Sequence, residues 1–150
     1  MLFSNYKKYH NVFKSCNEGS KSKEWLWCCN CPKCLFVYII LSPFLYKEEL
    51  VSIFGSDLYE REDLLDTFKE ILGYSETKPF ECVGTYSEAR YAVSLLIEKL
   101  DKENLPFLLK YYLDNYELEL DGTEILKYNE ENNINSYYDS LVRKELDKYV

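Results

Sequence analysis

Four of the six cysteines in this 150-residue sequence share a spacing that suits a metal ion. Their pattern is C-x11-C-x2-C-x2-C, and it consists of Cys16, Cys28, Cys31 and Cys34. Zinc takes four thiolates at tetrahedral corners, and a C-x2-C step brings two sulfurs of one tight turn to the same ion. A closed set of four ligands leaves no position for water, so the pattern predicts a structural zinc site. Cys29 adjoins Cys28, and the sequence leaves open which of the two is the ligand.

Two other interpretations of these cysteines stay open at this point. They can be reduced core residues beside Trp25 and Trp27, since free cysteine is often buried. They can also hold an iron–sulfur cluster, which takes four cysteines as well. Nearby ammonium groups would favour thiolates in a metal site. The lysines concerned are Lys21, Lys23 and Lys33.

The charge of the chain is unevenly distributed. Residues 1–34 carry six lysines and two acids, which gives +4 and leaves −12 for the rest of a chain of net charge −8. The acidic body repels nucleic acid at long range, which makes that partner unlikely. The longest apolar stretch, residues 35–46, is too short to cross a membrane, which takes ~20 residues. No apolar region of a secretory signal follows the first charges, so we expect a cytoplasmic protein with reduced thiols.

The apolar periodicity predicts a mainly α fold, a compact bundle of five or six helices that forms one structural unit. We expect a basic arm and zinc knuckle over 1–34 and an acidic helical domain over 35–150. Helices are predicted over 35–45, 47–54 and 64–72, after the Thr85-x-x-Glu88 capping box, and over 105–116 and 137–149. Gly55 and Gly73 are predicted helix stops. Residues 117–128 are ambiguous and allow at most a short β-hairpin.

Several segments together resemble a known family. They are Ser15-Cys16-Asn17, residues 27–38, Pro43-Phe44-Leu45, Ile53-Phe54-Gly55, residues 78–85 and Glu88-Ala89-Arg90. In this order they resemble the C-terminal part of the bacterial UDP-N-acetylmuramoyl-L-alanyl-L-glutamate epimerases (the MurL family), over roughly Phe13 to Ile97. The knuckle alone also resembles that of 7-cyano-7-deazaguanine synthase, a pyrophosphatase-loop ATPase, which is an analogy at the level of the fold.

The resemblance implies a C-terminal domain or split subunit of an ATP- and Mg²⁺-dependent isomerase. Those enzymes invert the terminal L-Glu of the UDP-linked muramoyl dipeptide in peptidoglycan synthesis through an acyl-adenylate, and release AMP and pyrophosphate. The family's nucleotide loop, Ser-Gly-Gly-x-Asp-Ser, is absent from this sequence. The chain alone is therefore expected neither to bind ATP nor to be active, and an N-terminal ATPase half is the implied partner. Whether the chain is itself an enzyme stays open.

Five residues are candidates for the chemistry that the resemblance implies. Cys82, with its neighbour Glu81, precedes a helix start, where backbone amides stabilise a thiolate. Lys33, Lys78 and Arg90 are candidates to contact phosphate or a substrate carboxylate. The alternative for Cys82 is core packing beneath its apolar neighbours, and for Lys78 and Arg90 it is solvated surface charge.

Two other functions compete with the epimerase. One is a zinc-knuckle binding module, in which aromatic residues of the basic arm stack on single-stranded nucleic acid. The other is a degenerate fragment that folds without activity of its own. His10, the one histidine, lies in the predicted irregular arm and receives no role.

Overall fold

Helices account for the regular structure of the described part of the chain. The structure, a computed structural model, describes residues 3–21, 26–79 and 83–148. Within those ranges it contains no strand, which confirms the mainly α prediction. The helices are α1 (Pro32–Leu41), α2 (Lys47–Phe54), α3 (Leu65–Leu72), α4 (Tyr86–Lys99), α5 (Phe107–Asn115), the single turn α6 (Thr123–Leu126) and α7 (Ser136–Leu146).

The central helix is α1, which contacts α2, α3 and α4. It is buried on most of its circumference because apolar residues occupy nearly every position from Leu35 to Leu41. It begins at Pro32, earlier than the sequence predicts, since the fixed φ of proline suits the first helical position. It ends at Leu41, two residues before Pro43, whereas the predicted helix runs to residue 45. Cys34 therefore belongs to the helix, so the knuckle and the helical domain share α1.

The predicted helix boundaries agree with the structure at the caps. Gly55 (φ 86°) ends α2 and Gly73 (φ 74°) ends α3, both in the left-handed region that favours glycine. The capping box at the start of α4 is also confirmed. The backbone N–H of Glu88 donates to Thr85 Oγ1 at 3.2 Å, and the N–H of Thr85 donates to Glu88 Oε2 at 2.7 Å.

Residues 3–21 are more ordered than an irregular arm would be. They contain three short 3₁₀ turns, Phe3–Asn5, Lys7–Tyr9 and Gly19–Lys21. Phe13 packs against both Phe3 and Trp27, with ring centroids 4.9 and 5.7 Å apart. His10, left without a role by the sequence, is only 6% exposed and lies 3.2 Å from the Phe3 carbonyl oxygen through Nε2. The aromatic residues of the arm thus extend the core.

The segment 117–122 forms no hairpin. Side chains, rather than a partner strand, bind its backbone: Glu119 N–H donates to Ser94 Oγ at 2.9 Å, and Tyr112 Oη donates to the Glu117 carbonyl at 3.2 Å. Both partners lie on helices, so the segment runs across α4 and α5. These side-chain hydrogen bonds satisfy backbone N–H and C=O groups that, in a hairpin, would be paired with the neighbouring strand.

The last helix, α7, buries none of its residues. It is anchored by Arg143, whose guanidinium donates to Glu130 at 2.6 and 3.0 Å and to Asp139 at 2.7 Å. Among the described residues, no helix has the length and apolar character needed to cross a membrane.

The capping box gives a direct test of the start of α4. We expect Thr85→Ala to lower the free energy of unfolding by about 1 kcal/mol, because one helical N–H loses its side-chain acceptor. Ser87→Ala is the control, since it removes a hydroxyl from the same turn without removing the cap. Urea unfolding followed by circular dichroism measures both, and equal shifts in the two variants would contradict the assignment.

Candidate metal centre

The four predicted sulfurs meet at one point. All four Sγ atoms lie within 4.8 Å of one another. The separations are 3.9 Å for Cys16–Cys31, 3.7 Å for Cys28–Cys34 and 3.4 Å for Cys31–Cys34. Four sulfurs at ~2.3 Å from a tetrahedral ion stand about 3.8 Å apart, so the cluster has the size of a single-ion site. The thiols are free and form no disulfide.

Two parts of the chain deliver these sulfurs. Cys31 is the N-cap residue of α1 and Cys34 lies in its first turn, so the helix start holds two ligands. Cys28 comes from the turn just before, and Cys16 comes from the arm. Cys16, Cys31 and Cys34 are buried, Cys34 completely, and Cys28 is half-buried. The cluster therefore fastens the arm to the N-terminal end of α1.

Backbone amides surround Cys16. The N–H groups of Gly19 and Cys28 donate to its Sγ at 3.1 and 3.5 Å. Burial of this thiol raises its pKa, but these hydrogen bonds outweigh burial and bring the pKa of Cys16 down to about 7. The close turn requires Gly19, because a Cβ there would lie 1.6 Å from the Leu26 carbonyl oxygen.

The other buried thiols have the opposite tendency. Burial raises the pKa of both Cys31 and Cys34. Such thiols ionise readily only where a positive charge offsets the desolvation of the thiolate. A divalent cation at the centre supplies that charge, so the donor set fits a bound metal.

Cys29 lies outside the cluster, whereas the neighbouring Cys28 belongs to it. Its backbone has a positive φ of 55°, and its thiol donates to the Phe54 carbonyl oxygen at 3.0 Å. Arg61 donates to the Cys29 carbonyl and to Asn30 Oδ1, which holds this turn. Cys28 therefore occupies the fourth corner. The spacing of the cysteines carries no signal for this local conformation.

The other candidate residues are dispersed. Lys33 lies beside the knuckle, with Nζ 3.4 Å from Asn17 Oδ1. Lys78 donates to the Gly84 carbonyl at 3.2 Å and lies over the Tyr86 ring. Cys82 and Glu81 are outside the described residues, so their roles stay predictions.

Arg90 is held by contacts within the chain. Its Nε donates to the Leu72 carbonyl at 2.6 Å, a group at the end of α3. One terminal nitrogen donates to Glu119 at 3.1 Å, and the guanidinium lies 4.4 Å from the Tyr74 ring centroid. These three contacts tie α3, α4 and the 117–122 segment together, which fits a structural role.

The structure also contains a cleft of about 540 Å³ that no sequence motif predicts. It lies where α1 and α4 end and where α2 and α5 begin. Its lining is drawn from positions that are far apart in the chain, so no local motif marks it. Clefts of this size are typical of small-molecule sites.

The fold and the site define a class of protein: a small helical domain whose first core helix starts at a four-cysteine knuckle. The chain belongs to the family described as the MurL C-terminal domain, whose sequence model matches residues 12–123. That range contains the whole cysteine cluster and α1 to α5. It also extends past Ile97, where the resemblance seen in the sequence ends.

Curated relatives agree with this assignment. A protein of Micromonospora sp. is 42% identical over 100 residues, and one of Salinispora tropica is 40% identical over 100. Each of these matches covers 65% of this chain and 22% of the relative. A protein of Xanthomonas oryzae pv. oryzae is 32% identical over 128 residues, 82% of this chain and 28% of the relative. All three are named UDP-N-acetyl-alpha-D-muramoyl-L-alanyl-L-glutamate epimerase.

The chain thus spans about a quarter of the length of the curated relatives it matches. No solved structure matches it.

The two neighbouring cysteines give matched variants for the metal site. We expect about one metal ion per purified chain, measured by elemental analysis without added metal. Cys28→Ser should lose the ion, because it removes one of four ligands. Cys29→Ser should keep it, because a serine hydroxyl can still donate to the Phe54 carbonyl. Loss of metal in the Cys29 variant and retention in the Cys28 variant would reverse the assignment.

Arg90 and Lys78 differ in how firmly the fold holds them. Arg90→Ala leaves the Leu72 carbonyl without its partner, and we expect a loss of about 1–3 kcal/mol of unfolding free energy. Lys78→Ala should stay within about 0.5 kcal/mol of the parent, as for most exposed side chains. Urea unfolding measures both. An unchanged midpoint for Arg90→Ala would free this residue for a role in ligand binding.

Proposed function

We propose that the chain is the C-terminal domain of an enzyme that inverts the terminal L-Glu of UDP-MurNAc-L-Ala-L-Glu. The names of the relatives and the family match support the reaction. The observation that carries the proposal is the cysteine cluster, which the fold assembles from residues within the family match. Because the chain spans about a quarter of those relatives, the activity needs the remaining part of the enzyme.

The proposed reaction divides between the two parts. Inversion at Cα needs a base that removes the proton and an acid that returns one to the opposite face. Adenylation of the α-carboxylate by ATP, with release of pyrophosphate, makes that proton more acidic, and hydrolysis then releases AMP. We assign adenylation to the N-terminal ATPase part, present as another region of the polypeptide or as a separate chain. Cys82 and Glu81 are our candidates for the acid or base that this chain contributes.

We propose zinc as the metal, in a structural role. Sulfurs within 4.8 Å of one another have room for one ion, whereas an iron–sulfur cluster places several iron and sulfide atoms between its thiolates. Four cysteine ligands close the coordination of zinc and leave no open position for catalysis. Reduced thiols of this kind persist in the cytoplasm, where the UDP-linked precursor is expected.

The basic arm gives little support to the alternative of nucleic-acid binding. Lys7 pairs with Glu49 at 2.7 Å and Lys21 pairs with Glu18 at 2.6 Å, so part of its charge is neutralised within the chain. Lys14 lies 5.9 Å from the Trp27 ring centroid, and Trp27 is buried. The buried Trp27 ring offers no face for a stacked base, whereas Tyr9, in the described part of the arm, is 48% exposed and could offer one.

A domain exchange tests the proposed function. The whole chain replaces the C-terminal domain of the Micromonospora relative, and the fusion is supplied with ATP, Mg²⁺ and UDP-MurNAc-L-Ala-L-Glu. Chiral analysis of glutamate after acid hydrolysis measures inversion. We expect D-Glu from the fusion, none from the truncated relative, and at least a tenfold loss with Cys34→Ser.

The controls separate activity from folding. The intact relative shows that the assay works, and a fusion with Cys29→Ser should keep its activity. A folded fusion that binds metal but forms no D-Glu, beside an active relative, would contradict the proposal.

A further inference from the structure

The 540 Å³ cleft combines an apolar mouth with a polar wall. At the mouth stand two aromatic side chains, Phe44 and Tyr46, which are 39% and 78% exposed. Leu100 adds a third exposed apolar side chain. Exposed aromatic rings at the rim of a cleft offer faces on which a flat heterocycle can stack. The mouth therefore suits a planar ring.

The wall of the cleft is organised around Asp57. This carboxylate accepts from Tyr38 Oη at 2.8 Å and from the Tyr59 N–H at 3.0 Å, and it pairs with Lys47 at 2.8 Å. Burial, together with the Asp57 carboxylate, raises the pKa of Tyr38, so its hydroxyl stays protonated and keeps donating. Asp57 thus fixes the position of Lys47 at the edge of the cleft.

Groups available to a ligand lie beside this fixed core. Glu60 lines the cleft 3.7 Å from Lys47, and its side chain is 55% exposed. Carboxylates commonly accept hydrogen bonds from the hydroxyl groups of ribose. Lys99, which donates to the Pro43 carbonyl at 2.7 Å, lines the cleft as well. Ammonium groups on flexible stems bind phosphate as point charges.

Taken together, the cleft offers stacking faces, a hydroxyl acceptor and cations. We propose that it binds the nucleoside 5′-phosphate end of a substrate, with the base at Phe44 and Tyr46, the ribose at Glu60 and the phosphate near Lys47 or Lys99. A wholly apolar ligand would remove the charged pair of Glu60 and Lys47 from water, which is costly. This inference rests on the proposed function, which names the molecules that could supply the ligand. The UDP-linked precursor and ATP both contain a nucleoside 5′-phosphate.

Ligand-observed NMR on the full, metal-loaded chain tests the site with UMP and AMP as probes. We expect saturation transfer to one of them, with strongest transfer at the base protons. Preference for UMP assigns the cleft to the UDP-linked substrate, and preference for AMP assigns it to ATP. Absence of binding by both nucleotides to the folded chain would overturn the proposal.

Variants locate the binding. Tyr46→Ala should raise the dissociation constant at least fivefold, and Glu60→Gln should raise it at least threefold. Tyr137→Ala is the matched control, because Tyr137 is similarly exposed but lies on α7, outside the cleft lining. Equal affinities of the Tyr46 and Tyr137 variants would overturn the assignment to this cleft.

The fusion enzyme separates this inference from the proposed function. There Tyr46→Ala should raise the KM for one of the two nucleotide substrates at least fivefold, with kcat changed by less than twofold. Inversion with both KM values unchanged would remove the cleft inference and leave the epimerase intact. If the chain binds a nucleotide but a metal-loaded fusion forms no D-Glu, the cleft inference stands and the proposed epimerase function is contradicted.

Discussion

The meeting of four sulfurs at the first turn of α1 is the constraint on which the rest of the structure depends. Cys34 is completely buried on the helix that contacts α2, α3 and α4. Cys16 brings the arm to the same point, and Gly19 follows it because the turn leaves no space for a side chain. Without a cation, three buried thiols and the half-buried thiol of Cys28 would make only weak contacts with one another. Binding of a metal ion at this cluster would therefore be coupled to folding of the N-terminal region.

A continuous path of aromatic contacts joins this centre to the cleft. Trp27, next to the ligand Cys28, packs on Phe54 with ring centroids 4.7 Å apart. Phe54 meets Tyr38 edge-on at 5.1 Å, and Tyr38 donates to Asp57 in the cleft wall. Cys34 and Tyr38 also lie one turn apart on α1. The cysteine cluster and the cleft are thus two ends of one packed unit, so the position of one constrains the position of the other.

Features that depend on local residue types could be predicted from the sequence, whereas features that depend on long-range packing could not. Helix stripes, the Thr85 box, the glycine stops and the cysteine spacing are all local, and the structure contains each of them. The choice of Cys28 over Cys29 depends on one positive φ, which Arg61 holds from 32 residues away. The cleft joins segments between positions 38 and 109, so no short motif could reveal it. The sequence left residues 117–128 ambiguous, because the Ser94 and Tyr112 side chains that bind the backbone of Glu119 and Glu117 lie on other helices.

The contacts that hold the cysteine cluster in place argue for a structural role of this cluster. Arg61 binds the turn at Cys29 and Asn30 and also pairs with Asp63, just before α3, so the knuckle is held from a second side. A metal ion bound to this cluster would have all four positions filled by cysteine, whereas a catalytic metal needs an open position. The cluster therefore suits a structural role, and the proposed inversion at Cα is left to other groups. The cluster fixes the start of α1, and a rigid α1 is what a cleft built from four helix ends requires if it is to hold a ligand in one orientation.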